Sequence, residues 1–292
     1  MSRLPKAFAV VASIRIGEVL VLQGAPLIGI VFSIGTITAP KLLASLIFAA
    51  ASFLLVAHIF TLNDWADFSR GLNHSNSAMS RLENKKVPPR LLFFFSLLLL
   101  MASLSLFLSL SVRCSLLAAG IATLGILYSH PLLNFKSIPI VSSLVHFVGG
   151  LLHFLLGYAL FSAIDEHGLL IGSFFAVTFT AGHLNQELRD FDLDQQTGAR
   201  TNAVVFGKRI VFMTGLILFT ISYIYLFFLA WTGVTPRSVA ILPVLLCPVH
   251  IVASLHALKA KLTSKSIRRF QALYRVNYAL IGLTMLVVLL YR

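Results

Sequence analysis

Acidic residues are scarce in this chain: ten in 292 positions, against 23 Lys and Arg. Charged residues of both signs reach only 11%, where soluble domains carry roughly 25%. So little polar surface cannot coat a water-soluble globule of this length, which excludes a soluble enzyme. A hydrophobic content of 58% excludes a disordered chain. The net charge of +13 does not point to nucleic acid, because in a multi-spanning membrane protein a positive excess reflects the Lys and Arg of the inner loops. Two cysteines, Cys114 and Cys247, both in apolar surroundings, supply neither a disulfide framework nor metal-ligand spacing. The opening MSRLPK is too short for a signal n-region and no cleavage site follows, so the amino terminus is expected to be retained. No internal repeat or low-complexity tract is evident.

What is present instead is a series of long apolar runs. A spanning helix needs about 20 mainly apolar residues. Nine stretches meet or approach this, at 16–35, 42–62, 91–111, 114–131, 139–162, 167–187, 209–231, 237–256 and 273–291. Ser111-Val112-Arg113 makes the polar break between the third and the fourth. With the amino terminus inside, the inner segments hold Arg3, Lys6, Arg70, Arg81, Lys85, Lys86, Arg90, Lys136, Arg189, Arg200, Lys208, Arg209, Lys259, Lys261, Lys265, Arg268 and Arg269, whereas the outer ones hold only Lys41, Arg113, Arg237 and Arg292. By the positive-inside rule this asymmetry sets the orientation and supports the count of nine. The basic tract from Lys259 to Arg269 reads as a solvated inner loop facing anionic lipid.

The few acids are not scattered. Glu18 falls in the first span, three residues from Arg15, and the two are expected to pair. Asp165 and Glu166 fall in an outer loop with no evident task. Of the seven inner acids, all but Glu83 lie in two clusters, at the ends of the second and sixth spans. Asn63-Asp64-Trp65-Ala66-Asp67 places Asn63 and Asp67 on one helix face, and Glu187, Asp190 and Asp194 share a face at i, i+3 and i+7. Asp192 points elsewhere and reads as solvated. Acids at membrane depth are costly and usually bind something. Oxygen-ligand stripes suit hard cations, above all Mg²⁺, which is held by one or two carboxylates plus substrate phosphates. Two such stripes across a cavity would hold a diphosphate between metal ions. The plainer alternative is that these are helix-end acids paired with nearby Arg and Lys.

These residues resemble the UbiA superfamily of intramembrane prenyltransferases. Asn63-Asp64-x-x-Asp67 matches the first family motif, NDxxDxxxD, and Asp190-x-x-x-Asp194 matches the second, DxxxD, with Glu187 where the family often has another acid. The continuation Thr197-Gly198-Ala199-Arg200-Thr201, then Val204-Val205-Phe206-Gly207-Lys208, is similar to the family's G-x-R-T and V-x-x-G-K. Arg15 resembles the arginine that begins the family's first helix. The family's YxxxK loop is altered here: Lys136 follows Tyr128 by eight residues, after a YS-x-P start, as in the branch of chlorophyll synthase and homogentisate prenyltransferases. The last Asp of the first motif is replaced by Gly71, so that contact is missing or comes from Ser69 or Asn73.

The resemblance implies an all-α bundle of nine transmembrane helices forming one prenyltransferase domain over 1–292. It implies Mg²⁺-dependent transfer of a prenyl group from a polyprenyl diphosphate to an aromatic, quinone-precursor or other lipophilic acceptor, with no nucleic-acid partner. The site would face the cytoplasm from the cytoplasmic membrane. Asn63, Asp67, Glu187, Asp190 and Asp194 would hold metal, and Arg15, Tyr128, Lys136, Arg189 and Arg200 would hold the diphosphate. Asp64, Asp67, Asp190, Asp194 and Lys136 form the implied catalytic set. Asp64 would orient a ligand or accept a proton from the acceptor. His183 and His153 read as hydrogen-bonded intramembrane histidines or as acceptor contacts. The competing classes are an ion-coupled transporter, which calls for repeats and midplane acids, and a catalytically reduced scaffold of the same fold, argued from Gly71.

Overall fold

The computed structural model describes residues 10–11, 14–69 and 87–291. Its helices are α1 (Ile16–Leu22), α2 (Gly24–Ser33), α3 (Ala39–Ser69), α4 (Pro89–Leu110), α5 (Val112–Ser129), α6 (Val141–Tyr158), α7 (Glu166–Gln196), α8 (Asn202–Phe206), α9 (Lys208–Trp231), α10 (Ile241–Lys259) and α11 (Ser264–Leu290). Short 3₁₀ turns at Phe135–Ser137 and Arg237–Ala240 precede α6 and α10. Among the described residues nine spans are long and apolar enough to cross a membrane, the first made of α1 and α2 together. This is an integral, multi-pass membrane protein, all-helical over the described residues.

Three boundaries depart from the sequence expectation. The second and sixth spans run beyond their apolar stretches, α3 to Ser69 and α7 to Gln196, so both acidic clusters are helical. At 1.5 Å per residue, helices of 31 residues outreach a hydrocarbon core about 30 Å thick, which lets the polar ends project. The last helix starts at Ser264, capped by Thr263, whose Oγ1 accepts from the Ser266 N–H at 3.3 Å. Lys265, Arg268 and Arg269 therefore belong to its first turns and not to a loop.

The chain forms two compact units, Met1–Gln23 with Thr36–Phe135, and Gly24–Gly35 with Lys136–Arg292. In the first, α3 packs along α4 through small residues: Ala51, Ser52, Ala57, Ser96 and Ser103 are all completely buried. Small side chains let helix backbones approach where no hydrophobic force drives helices together. The Ser103 hydroxyl donates to the Ala51 carbonyl at 2.8 Å, and Ser96 Oγ meets His58 Nδ1 at 2.8 Å. Ser111 closes α4 and caps α5, its Oγ accepting from the Arg113 N–H.

In the second unit α2 crosses α6 at glycine. A Cβ on Gly157 would lie 1.8 Å from the Pro26 carbonyl oxygen, and one on Gly29 would lie 2.4 Å from that of Phe154. Phe154 stacks on Phe175, joining α6 to α7. The α6–α7 corner is closed by Asp165, which caps α7 through the Gly168 N–H at 2.8 Å and accepts from the Tyr158 hydroxyl at 3.1 Å. The Gly168 N–H holds the Asp165 carboxyl below its ordinary pKa, and the Tyr158 hydroxyl adds to this. Outward apolar side chains such as Leu46, Phe94, Leu98, Leu116, Ile224 and Val244 are more than half exposed, which suits contact with lipid tails.

Candidate active site

The first acidic cluster occupies the last two turns of α3. Asp64 and Asp67 are buried, at 3% and 2% exposure, and Asn63 is half-buried. A buried carboxylate is costly unless paired and hydrogen-bonded. Arg15, the residue before α1, supplies the pairing: its Nε donates to Asp64 Oδ2 at 3.3 Å and a terminal guanidinium nitrogen donates to Oδ1. The same guanidinium lies over the Phe60 ring, 5.6 Å from its centre. The expected pairing of Arg15 with Glu18 gives way to this one. Arg15 stands outside the helix, at φ −79° and ψ 65°, and Asp64, more buried than half-exposed Glu18, has the larger need of a cation.

Asn63 bridges two neighbours. Its Nδ2 donates to Asp67 Oδ2 at 3.4 Å, and its Oδ1 accepts from the Ser129 hydroxyl at 3.3 Å. Ser129 was not singled out in the sequence. It follows Tyr128, half-buried in the last turn of α5, so the helix end that carries Tyr128 is tied to the first motif. Trp65 packs against Phe93 and His130, an aromatic role. Ser69 ends α3 exposed, and Gly71 and Asn73 lie outside the described residues.

The second cluster occupies the last three turns of α7. Arg189 grips its neighbour Asp190 along one edge of its guanidinium, Nε to Oδ1 at 2.9 Å and a terminal nitrogen to Oδ2 at 2.8 Å. Asp194 is half-buried, accepts from the Thr201 hydroxyl at 3.2 Å, and lies within electrostatic reach of Asp190, Glu187 and Lys136. Lys136 sits half-buried in the 3₁₀ turn before α6, and Arg200 is exposed in the turn after α7. Asp192 pairs at the surface with Lys208, 2.9 Å away.

Glu187 is different from its companions. It is 6% exposed, and its partners come from two other segments of the chain. Oε1 accepts from Asn202 Nδ2 at 3.0 Å and the Ser142 hydroxyl at 3.3 Å and lies 3.1 Å from His183 Nε2, while Oε2 accepts from the Ala203 N–H at 3.1 Å. His183 in turn stacks flat on His146, ring centres 3.7 Å apart. Asn202 also donates to Ser142 and Ser143 and accepts from the Ile140 N–H at 2.6 Å. Ile140 is the centre of a γ-turn with φ 68° and ψ −48°, closed by the Val141 N–H to Pro139 carbonyl bond at 2.8 Å. A β-branched residue there costs on the order of 1–3 kcal/mol and persists only where its surroundings enforce it. Thr201 was visible as the end of the G-x-R-T continuation, but Asn202, Ser142 and Ser143 carried no sequence signal.

Among the described residues no three His, Cys, Asp or Glu side chains gather into a metal-holding group. Each motif instead offers a few hard oxygen donors within its own unit.

The family model of the UbiA prenyltransferase family matches residues 25–288, and the chain belongs to that family. It is a membrane prenyltransferase. The fold is similar to a solved structure of digeranylgeranylglyceryl phosphate synthase, at TM-score 0.74 and 17% identity over 99% of this chain and 100% of that one. It is also similar to a UbiA homologue from Archaeoglobus fulgidus bound to GPP and Mg²⁺ (0.70, 16%, 97% and 99%) and to the same homologue bound to DMAPP and Mg²⁺ (0.69, 15%, 97% and 100%). No curated protein sequence matches the chain.

Proposed function

We propose that the chain transfers a prenyl group from a polyprenyl diphosphate to a lipophilic acceptor, using Mg²⁺ and both acidic motifs, with the two units working as one catalytic domain. The observation that carries this is the family membership together with an oxygen donor set on each motif. The donors fit the ion. They are carboxylates and one amide, without thiol, and the absence of any three-acid cage among the described residues suits a cation that takes one or two carboxylates and completes its shell with phosphate and water. Asn63 and Asp67 would hold Mg²⁺ on the first motif, and Asp190 and Asp194 on the second. Bound Mg²⁺ would supply charge neutralisation for the departing diphosphate.

The chain's own side chains do the rest. Arg15, Tyr128, Lys136, Arg189 and Arg200 are the donors for the diphosphate oxygens, where charge-assisted contacts are strongest. Asp64 orients Arg15: it takes one edge of the guanidinium and so sets where the other points. Asn63 fixes the Asp67 carboxylate, and Thr201 fixes that of Asp194. The bond between prenyl C1 and the diphosphate oxygen breaks, a bond from C1 to the acceptor forms, and the acceptor's proton passes to the released diphosphate. The apolar helices exclude the water that would otherwise capture the allylic cation. The solved relatives hold GPP, DMAPP and Mg²⁺, which supports this donor class. The excess of Lys and Arg on one side supports a site facing the cytoplasm from the cytoplasmic membrane.

Purified protein should transfer label from geranylgeranyl or longer diphosphates to one member of an acceptor panel that includes hydroxybenzoate, naphthoate, homogentisate, a chlorin, haem and a glycerol lipid. Transfer should require Mg²⁺ and vanish in Asp67→Ala and Asp190→Ala, with the protein still folded in detergent. Normal transfer by either variant would remove that residue from the site.

A further inference from the structure

Glu187 stands in the acidic stripe by sequence, yet its surroundings are those of a structural carboxylate. A carboxylate offers about four acceptor sites. Asn202 and Ser142 donate to Oε1, the Ala203 N–H donates to Oε2, His183 Nε2 lies 3.1 Å from Oε1, and the residue is 6% exposed. A cation binding there would displace buried hydrogen bonds that no water could replace. Asp190 and Asp194 are more exposed than Glu187.

The partners of Glu187 are informative. Asn202 and Ala203 open α8, directly after the turn that bears Arg200 and the Thr201 contact to Asp194. Ser142 and Ile140 belong to the start of α6, directly after the turn that bears Lys136. The Asn202 amide orientation follows from the network: its Oδ1 meets the Ile140 N–H and its Nδ2 meets the Glu187 carboxylate, and the reverse would set oxygen against oxygen. One buried side-chain pair thus ties three segments together, and it enforces the strained Ile140 turn.

We propose that Glu187 is a positioning residue and not a metal ligand. With Asn202 it forms a latch that fixes the turns carrying Lys136, Arg200 and Thr201 against the end of α7, and so sets where those groups meet the diphosphate. This rests on the prenyl-diphosphate reading above, and it assigns to Asn202, Ser142 and Ile140 a role that the acidic motifs do not reveal.

The test uses full-length protein in lipid nanodiscs, with geranyl diphosphate plus Mg²⁺ as one probe and Mn²⁺ alone, read by electron paramagnetic resonance, as the other. Glu187→Gln and Asn202→Ala should each weaken geranyl diphosphate binding about tenfold, the size of a misplaced charge-assisted contact. Mn²⁺ binding should stay at the wild-type level in both, in contrast to Asp190→Asn. The double variant should bind no more weakly than the single ones, because both break the same latch. Amide hydrogen exchange should rise at residues 138–141 and 199–206 in both variants while the middle of α7 stays protected. Ser142→Ala, which spares the Glu187–Asn202 contact, should show the same changes at smaller size, and it serves if the stronger variants do not fold. Loss of Mn²⁺ in Glu187→Gln with wild-type behaviour of Asn202→Ala would make Glu187 a ligand and overturn the proposal. Wild-type binding and exchange in both variants would overturn it too. A wild-type protein that fails to bind geranyl diphosphate would sink the functional reading instead, and the exchange data would still report on the latch.

Discussion

Neutralising Arg15 should destabilise the protein through Asp64, and neutralising both should largely restore it. The Asp64 side chain is 4% exposed and that of Arg15 27%. Breaking a fully buried pair by removing one partner costs about 3–5 kcal/mol, because the remaining charge loses compensation. Water reaches Arg15 and screens part of this, so about 2–3 kcal/mol is expected for Arg15→Met. Asp64→Asn leaves an uncharged amide at the buried position and a cation that can turn towards solvent, and should cost about 1–2 kcal/mol. The double variant buries no charge and should lie within about 1 kcal/mol of wild type. Equilibrium unfolding of the four proteins in detergent micelles gives the coupling energy directly. Coupling of about 1–3 kcal/mol is the expected result for residues in contact. Costs that add within about 0.5 kcal/mol would show that the two side chains do not depend on one another, and Asp64 would lose its assigned role as the orienter of Arg15.

Three further outcomes follow from the geometry. Gly157→Ala drives a methyl group into the Pro26 backbone and should cost about 3 kcal/mol or more in thermal unfolding, while Gly149→Ala, with nothing within 4 Å, should stabilise by up to about 1 kcal/mol. Equal effects of the two would remove the α2–α6 close approach. Asp165→Ala should cost about 1 kcal/mol at pH 7 through loss of the α7 cap. Because the folded Asp165 carboxyl lies below its ordinary range, its contribution is complete above the unfolded pKa of about 3.9 and is lost as pH falls through the lower folded value, so the gap between wild type and variant should close in acid. A gap that persists unchanged at pH 2 would mean the cap does not depend on charge.

Much of the molecule is legible in the amino-acid order, for physical reasons that also mark where legibility stops. Lipid imposes an apolar run of fixed length on each span, so nine runs announced nine spans. The acids at 64, 67, 190 and 194 stood out because the membrane makes acids expensive and therefore rare. Their partners were not legible. Arg15 bonds Asp64, 49 residues away, and only the folded chain decides between that and Glu18 three residues away. Glu187 shares a helix face with Asp190, and spacing cannot tell a carboxylate aimed at a ligand from one locked beneath Asn202. The starts and ends of α3, α7 and α11 were misplaced for a related reason: hydropathy marks where a helix meets water, whereas hydrogen bonding and caps mark where it ends.

Calorimetric titration of geranyl diphosphate into nanodisc-embedded protein, with and without Mg²⁺, for wild type, Asp67→Asn and Asp190→Asn, bears most directly on the site. Binding by wild type that requires Mg²⁺, and its loss in both variants, is the predicted result. Binding that survives removal of Mg²⁺, or that either variant retains at wild-type strength, would contradict the assignment of the two acidic motifs to a metal–diphosphate site.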